Sequence, residues 1–180
     1  MRRSIDGSDM AAVELDGVRV SKDALLGEPG TALGAFSAGM DAAIVGSAFA
    51  AIGAMEAAIT VTTAQLSEGG QSGGATRESR FLRHRCADML MDLEQARSAA
   101  LLGLDSLLKP DARQRAYVTS GTKAVAARAS NAVCGQAIQL HREMGAAADG
   151  RIDQLFNLVA AANLHRGSPD FHLSRMAMLM

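Results

Sequence analysis

Apolar residues recur at three- and four-residue steps through most of this chain. Met40, Ile44, Ala48, Ala51, Met55 and Ile59 predict a first long helix from about Ser37 to Leu66. Ser67-Glu68-Gly69-Gly70-Gln71-Ser72-Gly73-Gly74 must break it, because four Gly within six residues cannot hold a helix cheaply. A second helix is predicted from about Arg77 to Leu108. Its stripe of Leu82, Cys86, Met89, Leu93, Ala96, Ala100 and Leu104 leaves Asp88, Asp92, Gln95 and Asp105 outside. Lys109-Pro110 ends it, the Lys suiting the negative end of the helix dipole. A third helix follows from about Asp111 or Ala112 to Arg142, with Val118, Val125, Ala129, Ala132, Ala137 and Leu140 facing inward. After a turn at 145–150, a fourth covers about Ile152 to Leu164. Ser168-Pro169-Asp170 then supplies an N-cap, a Pro at the first helical position and an early acid for a last helix. Helices near thirty residues, roughly 45 Å long, joined by short loops predict an all-α antiparallel four-helix bundle.

The first 28 residues follow another period. Val13-Glu14-Leu15 and Val18-Arg19-Val20 alternate apolar and polar around Asp16-Gly17, which predicts a short β-hairpin or two strand ends of a larger sheet. A lone hairpin is marginal in water and must pack on something. Pro29-Gly30 marks the boundary, giving a strand remnant over 1–28 and a helical bundle domain over 29–180.

Composition narrows the picture. Ala supplies 35 of the 180 residues and Gly another 18, so the 48% apolar content comes largely from small residues that let helices pack closely. A net charge of −1 argues against a general binder of nucleic acid or anionic membranes. With no Trp and one Tyr, a base-stacking platform is not expected. The stretch from Ala42 to Ile59, interrupted by Ser47 and Glu56, is too weakly hydrophobic to be assigned as a membrane span. The N-terminus shows no apolar signal region, and Cys86 and Cys134 stand far apart like buried thiols of a reducing compartment, so a cytoplasmic location is expected.

No catalytic constellation follows from spacing, and no catalytic residue can be assigned. His84 and Asp88 stand four apart, but no Glu-x-x-His pair accompanies them, so a surface role is preferred and no metal is expected. The Gly-rich 69–74 segment lacks Gly-Lys-Ser/Thr and follows a helix rather than a strand, which disfavours a phosphate loop. Arg77, Arg80, Arg83 and Arg85 gather at the start of the second helix. They suit either a phosphate-bearing ligand or a solvated basic face.

Gln136-Ala137-Ile138-Gln139-Leu140-His141 followed by Gly145 resembles the QxxQ-(I/L)-(H/F)-G-G-x-G region of the flavin-dependent acyl-CoA dehydrogenases. Further marks fall in the order of that family. The 13–20 segment and Leu25-Leu26-Gly27 resemble the last strands of its middle β-domain, Ala87-Asp88-Met89 its second long bundle helix, and Gly167-Ser168 its E-G-T turn. The tail His172-Leu173-Ser174-Arg175 resembles the small subunits of pimeloyl-CoA-dehydrogenase-like enzymes. The resemblance covers the C-terminal half of a family about twice this length. It implies oxidation of the Cα–Cβ bond of an acyl-CoA thioester, in which a carboxylate removes the α-proton and FAD accepts the β-hydride. It also implies that Gln139, Gly145, Gly167 and Ser168 lie near the cofactor, with Arg77 and Arg80 offered as replacement phosphate contacts.

The departures are specific. The family's catalytic Glu aligns with Arg166, which stays protonated, and its alternative Glu aligns near Ala43, with Asp41 two residues away. The Arg-x-x-Phe-Gly motif aligns with 69–73, so its Arg and Phe become Gly69 and Ser72, and the double Gly becomes Arg142-Glu143. The chain is therefore expected to be inactive in isolation. FAD would be held only in a complete assembly, either a homo-oligomer (dimer or tetramer) or one with a paralogous catalytic subunit. The alternative is a cofactor-free bundle that serves oligomerisation or stabilises a partner. Apolar surface that the missing domains would cover is expected to drive self-association.

Overall fold

The computed structural model describes residues 2–69, 77–143 and 150–180, with all their side chains except those of 68–69 and 77–79. Its helices are α1 (Ala32–Gly69), α2 (Arg77–Ser106), α3 (Ala112–Glu143), α4 (Arg151–Leu164) and α5 (Pro169–Leu179). Of these, α1 to α4 form the bundle and α5 folds back along α3. Cross-helix bonds fix the directions. Glu56 of α1 pairs with Arg97 of α2, Arg85 of α2 donates to Gln139 of α3, and Thr122 of α3 donates to Ala99 O of α2. Thus α2 runs against α3, while Asp41 and Ser47 of α1 meet Arg115 and Lys123 in the order that makes α1 and α3 parallel.

The core is built mainly of Ala, with Ile52, Met55, Ile59, Met89, Leu93, Val133 and Leu140 filling the larger spaces. The predicted stripe of α1 is buried from Ile44 to Ile59, and α2 buries Cys86, Met89, Leu93, Ala96 and Ala100. Although α1 is long and apolar enough to cross a membrane, half of its most apolar stretch lies buried in the bundle. Its hydroxyls are satisfied within the helix: Thr62 Oγ1 donates to Ala58 O at 2.7 Å, and Thr60, Thr63 and Ser67 likewise bond carbonyls four residues earlier. Both cysteines are free and buried, and burial pushes the Cys134 thiol up to about 11.

Helix ends follow local chemistry. Asp111 Oδ1 accepts from the backbone N–H groups of Arg113 and Gln114, capping α3 just after Lys109-Pro110. Ser168 caps α5 by accepting from Phe171 N, with Pro169 in the first turn.

Three expectations change. The inward positions Leu104, Val125 and Ala132 are exposed. The α2 stripe ends in Gly103 and Ser106 instead, because the helix axes approach too closely there for Leu. Because α3 touches all four other helices, its buried set wraps around the helix and includes Thr119, Ser120, Thr122 and Lys123, which a single apolar stripe cannot describe. The β-hairpin lies earlier than predicted. Its two strands, β1 (Arg2–Arg3) and β2 (Asp9–Met10), pair antiparallel, whereas 13–20 forms no strand and leaves Val13, Leu15, Val18 and Val20 exposed. An alternating segment without a sheet edge or an apolar face to cover gains too little to stay paired.

Candidate functional site

Two polar clusters lie at opposite ends of α3. At its C-terminal end, α2 brings up the basic residues read from the sequence. Arg85 Nη2 donates to Gln139 Oε1 at 3.0 Å, and the Arg85 guanidinium lies 5.3 Å from the centre of the Phe81 ring. Arg85 Nε is buried with no acceptor among the described residues, so this guanidinium keeps one donor unused. Arg80 and Arg83 are exposed on the same stretch of α2. The structure thus joins two features that the sequence left separate, Gln139 and the arginine cluster. Of the other residues singled out there, Gly145 lies outside the described residues, as does the side chain of Arg77. A cleft of about 280 Å³ on the α1 side of α2 is lined by Thr63, Leu66, Arg83, Cys86 and Leu90, with mostly apolar walls.

At the other end lies a buried charge cluster. Asp41, with no exposed surface, accepts from Arg115 Nε at 3.2 Å and from Thr119 Oγ1 at 3.1 Å, and its Oδ1 lies 3.5 Å from Arg175 of α5. Arg175 also donates to Ser120 Oγ at 3.3 Å. Every carboxylate oxygen is engaged, so Asp41 holds α1, α3 and α5 together and has no free face to remove a proton from a substrate.

Lys123 is 2% exposed. Its Nζ donates to Ala162 O and to Ser47 Oγ, tying α3 to α4 and α1. Burial, helped by the positive charge of Arg166, brings its pKa down to about 8. Below pH 8 both folded and unfolded chains hold this proton. Between about 8 and the ordinary 10.5 only the unfolded chain holds it, so stability rises with pH through that window, by about 3 kcal/mol. Lys123→Met should abolish the rise, which urea midpoints near pH 7.5 and near pH 10 would check.

The α4–α5 turn carries Gly167 and Ser168, the remaining residues singled out from the sequence. Arg166 is exposed and adopts φ 62°, a left-handed conformation taken by no other non-glycine residue described. Its carbonyl meets buried His172 Nε2 at 2.9 Å. Gly167 has φ 102°, and a Cβ there would lie 2.6 Å from Phe171 Cδ1 and 3.0 Å from His172 Nε2. Gly167→Ala is therefore expected to cost about 2 kcal/mol, measured by denaturant unfolding, through both strain and collision. No carboxylate stands at the Arg166 position, and Asp41 does not replace it.

Sequence reasoning missed Arg115, Thr119 and Arg175 as a cluster with Asp41, and buried Lys123 nearby on α3. One signal was present: Asp41 is the sole acid between Ala32 and Met55, and a lone carboxylate on so apolar a helix needs a cationic partner.

Comparison with known proteins gives concordant results. Residues 34–180 match the family model described as acyl-CoA dehydrogenase, C-terminal domain. The chain is 30% identical over 146 residues to the probable acyl-CoA dehydrogenase YngJ of Bacillus subtilis, an alignment covering 80% of this chain and 37% of that protein. It is 28% identical over 141 residues to the mitochondrial short-chain specific acyl-CoA dehydrogenases of Bos taurus and Homo sapiens, covering 78% of this chain and 34% of each. It thus spans about a third of the length of these relatives. With the all-α bundle, the match over 34–180 establishes that the chain belongs to the acyl-CoA dehydrogenase family, whose C-terminal domain it carries.

Proposed function

We propose that this chain is the C-terminal bundle of an FAD-dependent acyl-CoA dehydrogenase assembly, contributing to cofactor binding and subunit association but not the catalytic base. The single observation that carries the reading is the family match over 34–180. The cationic end of α2 supports the cofactor part. An FAD pyrophosphate needs cationic N–H donors, and exposed Arg80 and Arg83, with the Arg85 guanidinium that Gln139 fixes in place, supply them at this end of α2. Their charge suits the group, and on this reading they stand in for the phosphate contact of the Arg lost at Gly69. When bound, FAD supplies the hydride acceptor for α,β-dehydrogenation of the thioester. Arg166 stays protonated and cannot abstract the α-proton, so the base comes from outside this bundle. The isolated chain is correspondingly inactive.

Exposed Leu101, Leu102 and Leu104 on α2, with Leu108 just beyond its end, support association with another subunit, a second copy or a paralogous catalytic chain. A second reading, a non-catalytic partner-stabilising bundle, is favoured by Arg166 at the position of the family's Glu. The test is to produce the chain with the subunit that completes the family architecture and add an acyl-CoA without oxygen. A yellow complex whose flavin bleaches supports the first reading. A stable complex containing no flavin selects the second.

A further inference from the structure

The α5 helix is attached by polar groups rather than by an apolar face. Its only buried residue is His172, while Phe171, Leu173 and Met178 face outward. Arg175 reaches Asp41 and Ser120, Arg113 Nε donates to Leu179 O at 3.0 Å, and Met176 covers Gly121. His172 gives its one hydrogen bond to the turn, through Nε2 to Arg166 O. Its Nδ1 is buried and has no partner among the described residues.

We propose that α5 is an acid-released latch: proton uptake by His172 undocks α5 and frees the 166–168 turn while the α1–α4 bundle stays folded. The geometry gives the reason. With Nε2–H donating to Arg166 O, a second proton must sit on Nδ1, where no acceptor awaits it. The charge would also be misplaced. The groups facing His172 are Lys123 from α3, Arg175 from α5 itself and Asp41 from α1, so two cations oppose it and one anion favours it. That anion is already shared between Arg115 and Arg175. Burial and these cations hold the imidazole pKa below its ordinary 6.5, outweighing the bond to Arg166 O. A released α5 exposes His172 to water, where it protonates freely, so acid favours release. The bundle itself is held by the Ala-rich core of α1 to α4, in which α5 has no part. The proposal does not depend on the acyl-CoA reading.

Hydrogen exchange of the full chain, corrected for intrinsic rates, tests it. Amides of α5 should lose protection about tenfold per pH unit below about pH 6.5, since one proton is taken up per release, while α2 and α3 amides hold. His172→Gln, whose side-chain amide can still donate to Arg166 O, should keep α5 protected throughout. Protection of α5 that is flat in wild type, that falls together with α2 and α3, or that falls equally in the variant overturns the latch. Should the variant not fold, imidazole NMR of the wild-type chain decides. His172 titrating in step with α5 release supports the proposal, and titration without release overturns it.

Discussion

Replacing Asp41 with Leu should destabilise the chain by about 3 kcal/mol, because it leaves Arg115 and Arg175 in a largely buried pocket without their counter-ion. The carboxylate is fully buried and receives three charged or hydroxyl donors, so its loss removes one charge and strands two others. Thermal unfolding would report a fall in midpoint of about 10 °C for a chain of this length. Adding Arg175→Met should recover part of the loss, since one stranded guanidinium disappears with its desolvation cost. A fall no larger than that of an exposed ion pair, about 0.5 kcal/mol, would show that water reaches the cluster freely.

Gly103→Val should be comparably severe. A Cβ at 103 would lie 2.6 Å from Thr122 Oγ1 and 3.1 Å from its Cγ2, at the close crossing of α2 and α3. Thr122 cannot simply rotate away, since its hydroxyl donates to Ala99 O at 2.9 Å. Forcing the helices apart there costs about 3 kcal/mol. The milder Gly103→Ala localises the cause. Combined with Thr122→Ala it should be less damaging than the sum of the two single changes by about 1 kcal/mol, read from urea unfolding of all four proteins. Strict additivity would place the strain elsewhere.

Both sites show what the sequence revealed and what it hid. The bundle was legible because period and punctuation agreed. Ile44 to Ile59 and Cys86 to Ala100 repeat at helical spacing, and Lys109-Pro110 and Ser168-Pro169 mark ends that the structure confirms. Leu104 was misplaced because hydrophobicity alone cannot reveal that a neighbouring helix comes close enough to require Gly103. Lys123 and His172 were passed over because polar residues inside a helix read as surface until their partners, Ala162 O and Arg166 O, are known. The 13–20 hairpin failed for a related reason, since alternation predicts a strand only where a sheet exists to receive it.

The site was legible in a different way. Gln139 and the arginine cluster were each visible, one through family resemblance and the other through charge. Their contact could not be read, because Arg85 and Gln139 lie 54 residues apart and meet only when α2 and α3 pack antiparallel. The partners of Asp41 could not be read either, because Arg115, Thr119 and Arg175 reach it from other helices.

Flavin content of the reconstituted assembly tests the central claim most directly, measured for wild type and for Arg85→Met with the other subunit unchanged. The proposed reading predicts bound FAD in the wild-type assembly and retention weakened at least tenfold in the variant, with the bundle's unfolding midpoint little altered. A correctly assembled wild-type complex that binds no FAD, or one that holds it equally well without the Arg85 guanidinium, would contradict the cofactor-holding role assigned to this end of the bundle.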